Sequence, residues 1–129
     1  VKVTSNIDDH RAEKMEKAIE VAMQSIGIYM EASAALLAPV DTGRLKGSIT
    51  WATAGMRSIK KPMRHSDQVE KPVRSRMVYI GTNVEYAPHV EYGTRRMPAQ
   101  SFIRKAYDMG KATARKILAD TIKRIVIDG

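Results

Sequence analysis

The sequence contains no cysteine, which excludes disulfides, thiolate metal sites and cysteine nucleophiles. Aromatic residues are scarce, with one Trp, one Phe and five Tyr, so Met, Ala and aliphatic residues must supply most of the core. Methionine packs adaptably and specifies shape weakly, and such a core gains part of its rigidity from neighbouring subunits. No apolar run approaches the ~20 residues needed to cross a bilayer. The start of the chain, Val1 to Ser5, lacks the apolar stretch of a secretion signal. A soluble protein made in a cytoplasm, without a membrane partner, is the expectation. A glycine-rich phosphate loop and a nucleophile elbow are also missing, so no cofactor or small-molecule substrate is expected.

What is there fits one domain over residues 1–129. The net charge is +8, and it is unevenly spread. Residues 55–76 carry seven basic and two acidic side chains, and 101–129 carry seven basic and three acidic. These two segments account for the whole excess and suit a polyanion, either nucleic acid or an acidic protein surface.

Apolar residues Met15, Ala18, Ile19, Ala22, Ile26, Tyr29, Met30 and Leu37 recur at three- and four-residue steps and predict one helix over 7–37. Ser5 is a candidate N-cap, and Pro39 stops the helix through its effect on the preceding residue. Its length, on the order of 45 Å, exceeds the diameter of so small a domain, roughly 30 Å. Either it bends near Ser25 and Gly27, or one end packs on another subunit. Ser48 to Ala54 alternates and predicts a half-buried strand with Ile49, Trp51 and Thr53 on one face. Residues 55–75 show no period and read as a long basic arm, whose cations with its flank are Arg57, Lys60, Lys61, Arg64, Lys71, Arg74 and Arg76. Loops this long usually bind something or are disordered. A short β-rich run at 76–80 follows, then an ambiguous stretch at 84–92 where Pro88 argues against a central strand. A second helix spans about 99–125, with Phe102, Ile103, Ala106, Ala114, Ile117, Leu118 and Ile122 as its apolar face. The fold class is α+β, with a long N-terminal and a C-terminal helix packed on a small antiparallel sheet.

Asp41-Thr42-Gly43 is the signature of aspartic proteases, in which paired carboxylates activate water. Arg44 would sit badly beside a buried dyad, however, and the triplet follows a helix and a proline in a chain too helical for a β-barrel protease. His10, His65 and His89 have no second ligand at metal spacing beyond the pair His89 and Glu91, and two ligands do not make a site. The stretch from Tyr86 to Phe102 is unusual in gathering Tyr86, His89, Glu91, Tyr92, Arg95, Arg96, Met97 and Phe102. Tyr, Met and Arg are enriched at interface centres. The same stretch can equally be a loop folded back on the core, and both hold together if Tyr86 and Phe102 are buried while Arg95 and Arg96 face outward.

Three blocks carry a resemblance: Ala38-Pro39-Val40-Asp41-Thr42-Gly43-Arg44-Leu45, Tyr86-Ala87-Pro88-His89-Val90-Glu91-Tyr92-Gly93-Thr94, and Met97-Pro98-Ala99-Gln100-Ser101-Phe102. In order and spacing they resemble the phage tail-component family typified by the tenth gene product of phage HK-ninety-seven, over about residues 20–120. Ser101 stands where the family pattern has proline, and Lys105 replaces another of its residues. The resemblance implies a virion protein that completes the tail or joins head to tail, with copies of itself in a neck ring of six or twelve and with other neck and tail proteins as partners. It assigns no catalytic residue, and it makes Asp41, Thr42 and Gly43 a turn. A ring subunit must be complementary to itself head-to-tail, which the long helix and the Tyr86–Phe102 stretch would serve. The competing expectation is a basic nucleic-acid-binding module, which lacks the interleaved aromatics used for base stacking. A ring around DNA would let both hold.

Overall fold

The computed structural model describes residues 2–39 and 43–127, with side chains from Arg11 onward. Helix α1 spans Lys2–Leu37, α2 Arg44–Ser48, α3 Ala87–Tyr92 and α4 Ile103–Ile122. Strands β1 (Thr50–Thr53) and β2 (Val78–Gly81) pair antiparallel, with Thr50 opposite Gly81 and Thr53 opposite Val78. The architecture is α+β: both long helices and a small antiparallel sheet, as expected.

Helix α1 buries a strict four-residue row, Ala18, Ala22, Ile26, Met30 and Ala34. Residues four apart stack on one face of a helix and form a ridge. Helix α4 answers with Phe102 at its cap, then Ala106 and Gly110, also buried at four-residue steps. Small residues on both rows let the backbones approach. A Cβ on Gly110 would stand 3.0 Å from Met30 Sδ and from Tyr29 Cε1. Phe102, at 1 % exposure, joins Ala34, Leu45, Ile49 and Val84 in the main apolar cluster.

Helix α1 runs unbroken through Ser25 and Gly27. Gly27 is there for packing: a Cβ at this position would lie 2.8 Å from Trp51 Cγ, so glycine leaves the room that the strand's indole occupies against the helix. The helix starts at Lys2 rather than near residue 7, so Ser5 lies within its first turns and does not cap it. The turn residues Asp41 and Thr42 lie outside the described residues; Gly43, with φ 74°, holds the left-handed conformation that glycine adopts without strain.

The strand is not half-buried. All four residues of β1 are buried, and Ser48 belongs to α2, with Ile49 in the link. Trp51 and Thr53 face α1, where Thr53 Oγ1 donates to Glu20 Oε1 at 2.6 Å. The opposite face is covered by the basic segment itself, in which Val69 N–H donates to Thr50 Oγ1 at 3.0 Å. Helix α4 begins at Ile103 rather than Ala99, and after Ile122 it ends in one wider π turn over Lys123–Ile127.

Candidate interaction surface

The stretch after β2 is built on a short helix that proline can open. Pro88 sits in the first turn of α3, where a missing N–H costs nothing. Gly93 ends α3, its N–H donating to His89 O at 2.9 Å. Its φ is 82°, and a Cβ there would stand 2.8 Å from Ala99 N, so glycine is required on two grounds. The chain then makes a tight turn, closed by Thr94 N–H to Met97 O at 2.9 Å and by Met97 N–H to Thr94 Oγ1 at 3.1 Å. Arg95 and Arg96 form its exposed tip, with Met97 exposed beside them. Gln100 N–H to Val90 O, 2.8 Å, ties the returning strand of the turn to α3.

Two of the eight residues gathered here face inward. Glu91, only 8 % exposed, accepts from the N–H groups of Ile103 at 2.9 Å and of Arg104 at 3.2 Å. It caps α4 from a distance of sequence, satisfying two of the amides that every helix start leaves unpaired and placing a negative charge at the positive end of the helix. Its carboxylate is thereby committed and is not an outward contact, nor is it shared with the exposed His89. Phe102 is core. Tyr86 is half-buried, with the Arg44 guanidinium 5.6 Å from its ring centroid. His89, Tyr92, Arg95, Arg96 and Met97 make up the exposed face, and the Arg104 guanidinium stands 5.7 Å from the Tyr92 ring centroid.

The basic segment lies against the protein rather than away from it. Arg57 Nη1 donates to Val69 O at 2.7 Å, closing the segment on itself. Lys60 Nζ donates to Lys46 O at 2.9 Å and to Ile49 O at 3.1 Å, so it satisfies carbonyls at the end of α2. Burial pushes the Lys60 ammonium pKa down, against the pull of nearby Glu31. Arg76 pairs with Glu16 of α1 and, through its guanidinium hydrogen bond, lowers the carboxyl pKa of Glu16. Lys61, Arg64, Lys71 and Arg74 are exposed. The seven cations therefore divide into three fastened to their own domain and four turned to solvent.

A further set of contacts holds the segment down, and its residues were not picked out in the sequence as site residues. Arg44 donates through Nε and Nη2 to both oxygens of Asp67, each at 3.0 Å, and through Nη1 and Nη2 to Glu85 at 3.0 and 2.9 Å. The Asp67 side chain is 3 % exposed. This planar, forked pairing is what a guanidinium can make and an ammonium cannot. The hydrogen bonds with Asp67, then those with Glu85, push the Arg44 pKa up, and the Glu85 carboxyl is lowered in return. The three residues join α2, the turn at 65–67 and the link between β2 and α3.

Asp41 of the Asp-Thr-Gly triplet lies outside the described residues; Arg44 is spoken for by Asp67 and Glu85. Among the described residues no cluster of three or more His, Asp or Glu could hold a metal ion, and no helix is long and apolar enough to cross a membrane. What the fold presents is surface: a hydrogen-bonded turn, exposed cations and two long helices. The family model of the bacteriophage HK97-gp10 tail component matches residues 2–93, and the chain belongs to that family. The match runs from α1 through α3, so the first sequence block lies within it, the second does so except for Thr94, and the third lies beyond it. No curated protein and no solved structure matches the chain.

Proposed function

We propose that this tail component completes the tail at the head–tail junction, as one subunit of a ring of six or twelve copies in the virion neck, and carries no catalysis. It acts as a single domain, made in the cytoplasm of the bacterial host. The supporting observation is the turn at 93–98, held by four hydrogen bonds of backbone and Thr94, which offers Arg95, Arg96 and Met97 on a preorganised support. A contact residue held in its bound geometry loses little entropy on association. Tyr92 and His89 extend that face, while Glu91 and Phe102 support it from below.

The test is genetic and direct. In phage carrying Arg95→Ala with Arg96→Ala, heads and tails should accumulate separately while the purified subunit keeps its thermal stability. Joined particles at normal yield would refute the reading.

A second reading, that the chain binds nucleic acid, is favoured by the solvent-facing Lys61, Arg64, Lys71 and Arg74. In a ring around the DNA path these four would face either the polyanion or an acidic neighbour. The neighbour is preferred, because no aromatic side chain lies among the four to stack on bases.

A further inference from the structure

The two edges of the sheet are treated differently. On the outer edge of β1 the basic segment pairs with the strand, with Thr53 N–H donating to Met56 O at 2.8 Å and Ser58 N–H to Trp51 O at 2.9 Å. Trp51 and Thr53 thus spend their backbone groups on that side. In an antiparallel ladder, residues alternate between pairing inward and outward, so Thr50 and Ala52 bond across to Gly81 and Tyr79. By the same alternation the N–H and C=O groups of Val78 and Ile80 point away from β1, and among the described residues no hydrogen bond reaches them. Natural proteins blunt such edges with lysine, proline or a covering element. Here the edge is Val-Tyr-Ile and open.

Beside that edge runs a cavity of about 590 Å3, lined by Ile26 and Met30 of α1, Val78 and Ile80 of β2, and Tyr107 and Ala114 of α4. Val78 and Ile80 lie opposite Thr53 and Trp51, whose side chains face α1, so they too face the helices. The groove is therefore floored by α1, with the strand edge along one wall and α4 along the other. An added strand would lie about 4.8 Å from β2, over that floor, with alternate side chains directed onto Ile26 and Met30. Two cations, Lys111 and Arg115, stand on the α4 wall, both exposed, and among the described residues no carboxylate lines the groove.

We infer that the open edge of β2 takes an extended segment of a partner protein as a third strand, and that this segment alternates apolar residues with at least one acidic residue. Backbone pairing supplies the affinity in this mode and the pockets for alternate side chains supply selectivity. Charge chooses among occupants: the exposed apolar segment of this chain around Ile59 and Met63 is flanked by Lys60, Lys61 and Arg64, and it would set cations against Lys111 and Arg115. The inference rests on the edge and the groove and not on the ring, so either can fail alone.

The test uses the full chain, labelled with nitrogen-15, and a seven-residue peptide alternating valine with glutamate and threonine. In the free subunit the amides of Val78 and Ile80 should exchange with solvent quickly. The peptide should slow both, and a version with lysine in place of glutamate should bind at least fivefold more weakly. Lys111→Glu with Arg115→Glu, at two exposed positions, should invert that preference, with the amide spectrum reporting that the fold is kept. Unchanged exchange at Val78 and Ile80 with millimolar peptide would overturn the docking site. Equal binding of the two peptides would overturn the acidic partner. Protection that grows with subunit concentration, without peptide, would show a second copy on the edge and overturn the choice of occupant.

Discussion

Replacing Glu91 by alanine removes one carboxylate and leaves two helix-start amides, those of Ile103 and Arg104, without their partner. A hydrogen bond to a charged group is worth about 1.5–3 kcal/mol, but these two share one acceptor group and are not additive. Loss of an N-cap costs about 0.5–2 kcal/mol. With Glu91 only 8 % exposed, water replaces it poorly, so the upper end applies and Glu91→Ala should cost about 2 kcal/mol. Glu91→Gln keeps one acceptor oxygen and the shape, and should cost about half as much. For a domain of this size each kcal/mol lowers the melting temperature by roughly 3–5 °C. Thermal unfolding of the purified subunit, followed by circular dichroism, should therefore show Glu91→Ala melting about 6–10 °C early and Glu91→Gln between it and the parent. An unchanged melting temperature in Glu91→Ala, together with failed particle assembly, would refute the cap and make Glu91 an outward contact.

Other expectations separate the roles of neighbouring residues. Gly27→Ala drives a methyl to 2.8 Å from the Trp51 ring and should destabilise by about 1–2 kcal/mol, since overpacking outweighs the gain in helix propensity. Gly110→Ala meets the flexible end of Met30 and the edge of the Tyr29 ring, both at 3.0 Å, and should destabilise less than Gly27→Ala; denaturant midpoints compare the two. Arg44→Lys should loosen the basic segment nearly as much as Arg44→Ala, because the fork to Asp67 is lost in both, with limited proteolysis cutting first at 64–69. Because Arg44 lowers the Glu85 pKa, this pairing adds stability that is present above the ordinary carboxylate range. It is lost as pH falls through the depressed value, a dependence that should be weaker in Arg44→Ala in acid titrations of stability. Binding to duplex DNA should be weak; tight binding that falls with a log–log salt slope near −0.9 per phosphate contact would favour the nucleic-acid reading.

Both long helices were legible because their apolar residues recur at the helical period over many turns. Within α4, Gly110 escaped notice, since a glycine carries no hydrophobic signal even where it is buried against Met30 and Tyr29 of the facing helix. The strand Thr50–Thr53 was legible as a strand but not as a fully buried one. Its second cover comes from the basic segment, held by a contact between Arg44 and Asp67 that spans 23 residues and leaves no periodic trace. The same holds for Glu91: it stands 12 residues before the amide of Ile103, and its type and neighbours suit a surface contact equally well. Exposure of Arg95 and Arg96 was legible from the loop residues Gly93, Thr94 and Pro98 that bracket them. Lys60 and Arg57 read as part of a free arm because charge alone does not reveal which carbonyls a cation will meet.

The most direct measurement of the central claim is electron cryo-microscopy of intact phage particles, reconstructed at the head–tail junction. A closed ring of six or twelve copies of this fold in the neck, with the turn at 93–98 against a neighbour, is the predicted result. Particles whose junction and tail hold no density for the paired helices α1 and α4, and whose protein digest lacks this chain, would contradict it.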